Sequence, residues 1–525
     1  MLMTSPKFIA FDKPDPKRER MMFWRSLAAI GLLGACFALA SLVKLAAAYF
    51  FVVAALAVVS FWAFPRFSVC FLLASVFFQY FWIGVFFTQF DSFSTIRCIT
   101  LGNAVVIYTI FLSSVVYLLM HWRELPVSAR NLLWTAAAFT VVILAFFIVG
   151  WVRSSLGSAF YYLKSYSGIM LFLVIGCAYG IRLDAREILG IAAGFGVIMA
   201  TYGYLEFLFP YQTYSFVHMT EWLSYKHAGY MGREDLVFTT IQDAVDYFTV
   251  SFLNLSGAFK LDLAMIRPAG PMFHFISFAY AMAFCFIAAL VGNRLWTAIY
   301  MFLMLVLIAS KGAMILALFA ILAFILLKLS DRQHQLYACV LVALGCYIVL
   351  VLFYGYHTND YHFLGIQAGI KGFIGNPIGQ GLGIGGNASS EISTIKRSGI
   401  EFSNAKGLVA ESALVVLLYQ TGILGFLLLT LVWKQMVSAT LSLAGARDGF
   451  SLGAKNFIIC VVLSTLYANS IFQEEVFSPH ALGVWLVITG AILSEKSTKK
   501  ENARLRFAKP NFISRETCFG LQRGN

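Results

Sequence analysis

Apolar stretches of about 20 residues, the length a helix needs to cross a bilayer core, recur from Ser26 to Leu493 with two long interruptions. Each is read as a transmembrane helix, so the expected fold class is all-α. Composition agrees: 60% of the residues are hydrophobic, 12% are charged and mean hydropathy is +0.81. Soluble domains carry roughly twice that share of charge. The expected architecture is one polytopic inner-membrane domain of about 12–14 helices over residues 26–494, between basic cytoplasmic tails at 1–25 and 495–525. The first apolar run has no A-x-A cleavage site close behind it and reads as a retained span.

By the length rule the spans lie near 26–43, 45–64, 67–88, 98–120, 132–152, 166–181, 188–209, 271–292, 295–309, 312–328, 335–353, 409–432, 456–472 and 480–494. The formal net charge of +13 does not point to nucleic acid, because the basic residues sit in the tails and the short loops, as orientation signals do. Counted through these spans, Arg66, Arg123, Arg130, Arg182, Arg186, Arg294, Lys328, Arg332, Lys434, Arg447 and Lys455 share one side with both tails. That side is expected to be cytoplasmic. The same count puts two long loops, 210–271 and 354–408, on the outer, periplasmic side. The first is rich in aromatic residues (Trp222, Tyr225, Tyr230, Phe238, Tyr247, Phe248, Phe252) and is expected to fold onto the membrane domain, with an amphipathic helix near 240–255. The nine cysteines show no C-x-x-C pairing and read as small core residues, with neither a disulfide framework nor a metal site.

The most informative stretch is GFIGNPIGQGLGIGGN at 372–387. Glycine at this density is read as non-helical backbone that turns tightly and approaches a ligand closely, or as a loop turn. Gly381, Gly383 and Gly386 fit G-x-G-x-x-G, but no strand precedes them and the dinucleotide reading fails on context. Three basic residues stand at outer helix edges: Arg267 in RPAGP, Lys311 in ASKGA, and Lys371 before the glycines. A charge at mid-helix costs about 2.5–3.5 kcal/mol on insertion scales. A pyrophosphate headgroup would offset that cost at Lys311, and so would snorkelling to the interface. Candidate proton acceptors on the outer side are His362, with Asp360 nearby, and Glu411, which also suits a helix N-terminus. Glu474, Glu475, His218, His227 and His274 are further candidates. The chain lacks D-x-D, P-loop, H-E-x-x-H and G-x-S-x-G motifs, which disfavours ATP-driven transport and metal hydrolysis.

Four elements in order, RPAGPMF at 267–273, SKGA at 310–313, N-P-x-G-x-G-L-G at 376–383 and E-S-x-L…G-[IL]-x-G over 411–425, resemble the O-antigen ligase and polymerase superfamily. The resemblance implies a GT-C-type glycosyltransferase, metal- and cofactor-independent, acting on undecaprenyl-pyrophosphate-linked glycans at the periplasmic face. By position, Arg267 and Lys311 would hold the pyrophosphate with help from Lys371, and Asn376, Pro377, Gly379, Gly381 and Gly383 would form the glycine loop. His362 or Glu411 would be the base. Ligases of this family show histidine eleven positions before a glycine, where this chain has Glu411 before Gly422. The resemblance is therefore closer to exopolysaccharide and O-antigen polymerases; an acceptor ligase and a secondary transporter or flippase are the alternatives. The implied partners are the lipid-linked glycan and membrane lipid, with a chain-length regulator as a further candidate.

Overall fold

The computed structural model describes residues 16–43, 46–90, 92–227, 238–251, 264–329, 332–358, 360–389, 411–446 and 450–495. The outermost parts of both basic tails, Tyr230 and Phe252 of the first loop, Cys518 and residues 390–408 lie outside it. The chain opens with α1 (Pro16–Val43), α2 (Ala46–Ala63), α3 (Pro65–Val85), α4 (Phe93–Ile99), α5 (Gly102–Met120), α6 (Val127–Arg153), α7 (Leu156–Arg182) and α8 (Ala185–Leu208). The first long connection holds α9 (Pro210–Phe216), α10 (Met219–Tyr225), α11 (Ile241–Phe248) and an antiparallel pair, β1 (Thr249–Ser251) with β2 (Ala264–Ile266). Then come α12 (Phe275–Val291), α13 (Leu295–Ile308), α14 (Lys311–Leu329), α15 (Gln333–Thr358), α16 (Tyr361–Gly375), α17 (Ala413–Ala446), α18 (Phe450–Asn469) and α19 (Val484–Ser494).

Every expected span overlaps a described helix, with 98–120 divided between α4 and α5. Among the described residues, 8 helices are long and apolar enough to cross a membrane, and five shorter apolar helices have 10–17 residues. The protein is an all-α, multi-pass membrane protein. Several boundaries differ from expectation. Helix α1 begins at Pro16, inside the stretch assigned to a basic tail, and α7 begins at Leu156, where the Ser155 hydroxyl accepts the Ser158 N–H. The amphipathic helix expected near 240–255 is α11, fixed by a capping box between Thr240 and Asp243 and ended at Phe248 by the strand that follows. The second long loop is largely helical at its start: α15 runs to Thr358 and α16 covers 361–375.

The core lies where helices are apolar all round. Every residue of α19 and every residue of α12 from Ser277 to Val291 is buried. Helices α6 and α15 turn apolar side chains outward instead, among them Val141, Val152, Val342 and Leu350. Small residues bring helices into backbone contact, as at Gly176 of α7, where a Cβ would meet Val487 Cα at 2.8 Å.

One end of the bundle is tied by ion pairs. Glu187 on α8 receives Arg18 of α1 at 2.6 Å and Arg66 of α3 at 2.7 Å, and Arg294 before α13 pairs with Glu19 at 2.6 Å. Arg182 joins this end through the Phe61 and Trp62 carbonyls. Both long connections reach the turn that carries Glu474 and Glu475, the first through Lys226 and the second through Asn387, at the opposite end.

Candidate active site

The polar centre of that opposite end begins with a sequence too polar to continue α18. After Asn469 the chain crosses inward, and Glu474–Phe477 form a single 3-10 turn anchored by buried Val476 and Phe477. The Ser478 hydroxyl then caps the next helical segment by accepting the Ala481 N–H. This turn delivers two adjacent carboxylates to the interior.

Each carboxylate is held by a different element. Glu474 Oε1 accepts the Tyr162 hydroxyl of α7 at 2.5 Å, and Oε2 accepts the Asn387 N–H at 2.9 Å. Burial pushes its carboxyl up to about 7, against those two hydrogen bonds, with Glu411 and Glu475 adding to the rise. Glu475 Oε1 accepts the Ser277 hydroxyl of α12 at 2.6 Å. Its carboxyl is also raised, chiefly by burial, while the Lys226 ammonium opposes the rise. Lys226 in turn is lowered by burial and supported by Glu475. Tyr161, 46% exposed, stands within electrostatic range of Glu474, Glu475 and Tyr80.

Arg267 reaches the same region from the first connection. Its backbone N–H extends the hairpin by donating to the Phe248 carbonyl at 2.9 Å. Its side-chain Nε donates to the Ile308 carbonyl at 3.0 Å, and its guanidinium lies 3.9 Å from the centre of the Phe275 ring. Burial lowers it to about 10, which leaves it charged at neutral pH. His274, the N-cap of α12, is pushed down to about 3 by burial and by Lys226, His480 and Arg267, and is neutral there. The turn after Arg267 is clasped by Glu206 of α8, whose two oxygens accept the Ala269 and Gly270 N–H groups at 2.8 Å each.

Lys311 is the exposed first residue of α14, reached through a left-handed Ala309. It lies three residues beyond the carbonyl that holds Arg267. The neighbouring Gly312 carbonyl accepts Asn469 Nδ2 at 2.8 Å, and a Cβ there would run into Tyr280 and Gln473, next to the carboxylate pair. The structure thus brings Arg267, Glu474 and Glu475 together with Lys226, and Lys311 stands at the start of the helix whose next residue, Gly312, lies beside Gln473. Glu411 joins them, within electrostatic range of both glutamates. Glu411 does not cap the helix it precedes: it has φ +67, and Ser412 is the cap, its hydroxyl accepting the Val415 N–H.

His362 and Lys371 sit on α16, which packs on α15 and α17. Asp360 caps α16 by accepting the backbone N–H of His362 at 3.3 Å. Lys371 is exposed on a helix, not in a loop, and the expected non-helical stretch starts only at Asn376.

The glycine run from there is a packed strap. Gln380 and Gly381 donate their N–H groups to the Tyr419 and Gln420 carbonyls, and Leu382 donates to Phe146. Asn376 Nδ2 closes the turn by donating to the Gly379 carbonyl at 3.1 Å. At Gly381 (φ +107) a Cβ would lie 2.7 Å from Gly150 N, and at Gly383 (φ +86) 2.6 Å from Ala159 N. The strap also fills a break in α17 at Gly422 (φ 64), where the Ile423 N–H is met by the Pro377 carbonyl. Its far end presents Asn387 to Glu474. What these glycines approach is protein backbone.

Lys226 and Tyr162 are the members that the sequence reading missed. Lys226 falls in an aromatic-rich loop with no motif, and Tyr162 lies in a stretch read as a connection ahead of the 166–181 span. Among the described residues, no group of three or more His, Cys, Asp or Glu side chains could hold a metal ion. The described cysteines are unpaired thiols. Neither a family model nor a curated protein matches the chain.

Proposed function

We propose that this protein is a GT-C-type membrane glycosyltransferase that polymerises undecaprenyl-pyrophosphate-linked oligosaccharide repeats at the outer face of a bacterial inner membrane. The observation that carries the reading is the buried pair Glu474 and Glu475, set beside Lys226 and Arg267 at one end of the bundle. A carboxylate poised near neutrality suits a general base, and fixed cations beside it suit a pyrophosphate leaving group.

In this reading Arg267, Lys226 and Lys311 hold the pyrophosphate. Arg267 is held in place by its Nε bond to the Ile308 carbonyl and by the Phe275 ring, which leaves its terminal nitrogens to bind the ligand. Glu474 takes the proton of the acceptor hydroxyl as the bond from that oxygen to the anomeric carbon forms. The bond from the anomeric carbon to the pyrophosphate breaks, and its electron pair leaves on undecaprenyl pyrophosphate. Burial, with Glu411 and Glu475 adding to it, keeps the Glu474 proton affinity high, and Tyr162 and Asn387 each hold one of its carboxylate oxygens. Glu411 is the alternative base, and His362 a more remote one. The break at Gly422 would favour a transporter if it were open, but the strap occupies it.

The test is elongation in vitro: purified full-length protein, reconstituted with the lipid-linked repeat unit of its own host, should produce a ladder of longer lipid-linked glycans. Glu474→Gln and Arg267→Ala should each lower the rate about 100-fold or more while the protein stays folded. A ladder formed at wild-type rate by both variants refutes the reading.

A further inference from the structure

Three polar groups at the start of α12 compete for one proton. Ser277 Oγ lies 2.6 Å from Glu475 Oε1 and 2.9 Å from Nδ1 of His274. His274 is the N-cap of α12, and the same Nδ1 accepts the Ser277 backbone N–H at 3.3 Å. These bonds assign Nδ1 as the bare nitrogen, which puts the proton of the neutral ring on Nε2. A hydroxyl has a single proton to give. Were Glu475 ionised, Ser277 would give that proton to the carboxylate and turn a lone pair toward the bare Nδ1. With a proton on Glu475, both short contacts are hydrogen bonds: the carboxyl donates to Ser277 Oγ, and the hydroxyl donates to Nδ1.

The surroundings set where that proton rests. Burial chiefly favours the carboxyl form of Glu475, with Glu411 on the same side, while the Ser478 hydroxyl and the Lys226 ammonium favour the carboxylate. Glu474, Tyr161 and Tyr280 also stand within electrostatic range of it. His274 faces Lys226, His480 and Arg267, and its ring lies against Phe275. Burial and these cations disfavour a second proton on the ring. A proton that reaches Nδ1 therefore drives the Nε2 proton off.

We propose that Glu475, Ser277 and His274 form a proton relay that empties and refills Glu475, and so sets the charge beside Glu474. This deepens the polymerase reading above and rests on it for the part that Glu474 plays. In the outward direction the Glu475 O–H bond breaks as an O–H bond forms on Ser277. The original Ser277 O–H bond breaks as an N–H bond forms at Nδ1, and the Nε2–H bond breaks with its proton passing to water. One proton enters and one leaves, and no electrons change hands. Glu475 is left as a carboxylate, whose charge draws Glu474 toward the proton of the acceptor hydroxyl. Ser277 and His274 act through the carboxylate pair, not on the glycan.

Two measurements on the full-length protein in detergent test the relay apart from the reading it rests on. Infrared difference spectroscopy at neutral pH detects the C=O stretch of a protonated carboxyl. Wild type should show such a band, which Glu475→Gln removes and Ser277→Ala shifts. In elongation of the lipid-linked repeat, Ser277→Ala should lower kcat about tenfold or more with KM for the donor unchanged. His274→Asn should do the same, because asparagine still caps the helix but passes no proton. Ser277→Thr, which keeps the hydroxyl, should restore most of the rate. Wild-type elongation by Ser277→Ala and His274→Asn overturns the relay, as does a threonine variant no better than alanine. A carboxyl band indifferent to Glu475→Gln overturns it too. A band that behaves as expected in a wild-type protein that makes no ladder removes the polymerase reading and leaves the proton shared through Ser277. A wild-type ladder without the band does the reverse.

Discussion

At the scale of single residues, the account turns on Glu474. In the folded protein its carboxyl titrates at about 7, against an ordinary value of 4.5. The folded state therefore holds this proton more tightly than the unfolded chain does. The resulting stabilisation is fully present below 4.5 and is lost as pH rises to about 7. Thermal unfolding in detergent should accordingly show stability falling over that window, and Glu474→Gln should flatten the fall. If Glu474 is the base, elongation should rise with pH through the same region and level off above it. A rate independent of pH from 5 to 8, with the same unfolding profile for the glutamine variant, would speak against both statements. Arg267→Lys keeps the charge but gives up the bond to Ile308 and the stacking on Phe275, so elongation should still drop about tenfold. Much of this site was legible in part. Glu474, Glu475, Glu411, Arg267 and Lys311 all stand out as polar residues at outer helix ends. That Glu474 and Glu475 divide between Tyr162 and Ser277 was not legible, because those partners lie 312 and 198 positions away in the chain.

At the scale of elements, the glycine strap is the part whose reading changed most. Glycine density signals close approach, but it does not say to what. Here the approach is to Gly150, Ala159 and the broken α17, and the strap reaches the site through the Asn387 N–H on Glu474 and the following Ala388 N–H on the Tyr162 hydroxyl. Gly381→Ala would place a left-handed non-glycine residue against backbone. It should destabilise the protein by about 1–3 kcal/mol from the backbone alone, visible as a lower melting temperature. Gly168→Ala, with nothing but a ring edge near its new Cβ, should be neutral or raise stability by about 0.5–1 kcal/mol. Equal effects of the two substitutions would show that the strap is not packed as described. The missed helix α16 has a simple reason: it is short, ends in glycines, and carries His362 and Lys371 among apolar residues, so it lacks the length that marked the spans.

At the scale of the whole molecule, hydropathy and charge carried the most weight. The apolar stretches all became helices because a lipid-facing chain has few other ways to satisfy its backbone. The expectation that Arg66, Arg182 and Arg294 share a side matches the end tied by Glu187 and Glu19. Alkaline phosphatase fused after Lys371 should be active in the periplasm, and the same enzyme fused after Arg332 should be inactive. The reverse pattern would put the carboxylate pair on the wrong face for a lipid-linked glycan. The central claim is tested most directly in the native host: delete the gene, extract the lipid-linked glycans, and restore it with wild type or with well-expressed Glu474→Gln. The account predicts that single repeat units accumulate on undecaprenyl pyrophosphate in the deletion strain, that wild type restores polymer, and that Glu474→Gln does not. Lipid-linked glycan of unchanged length in all three strains would contradict it.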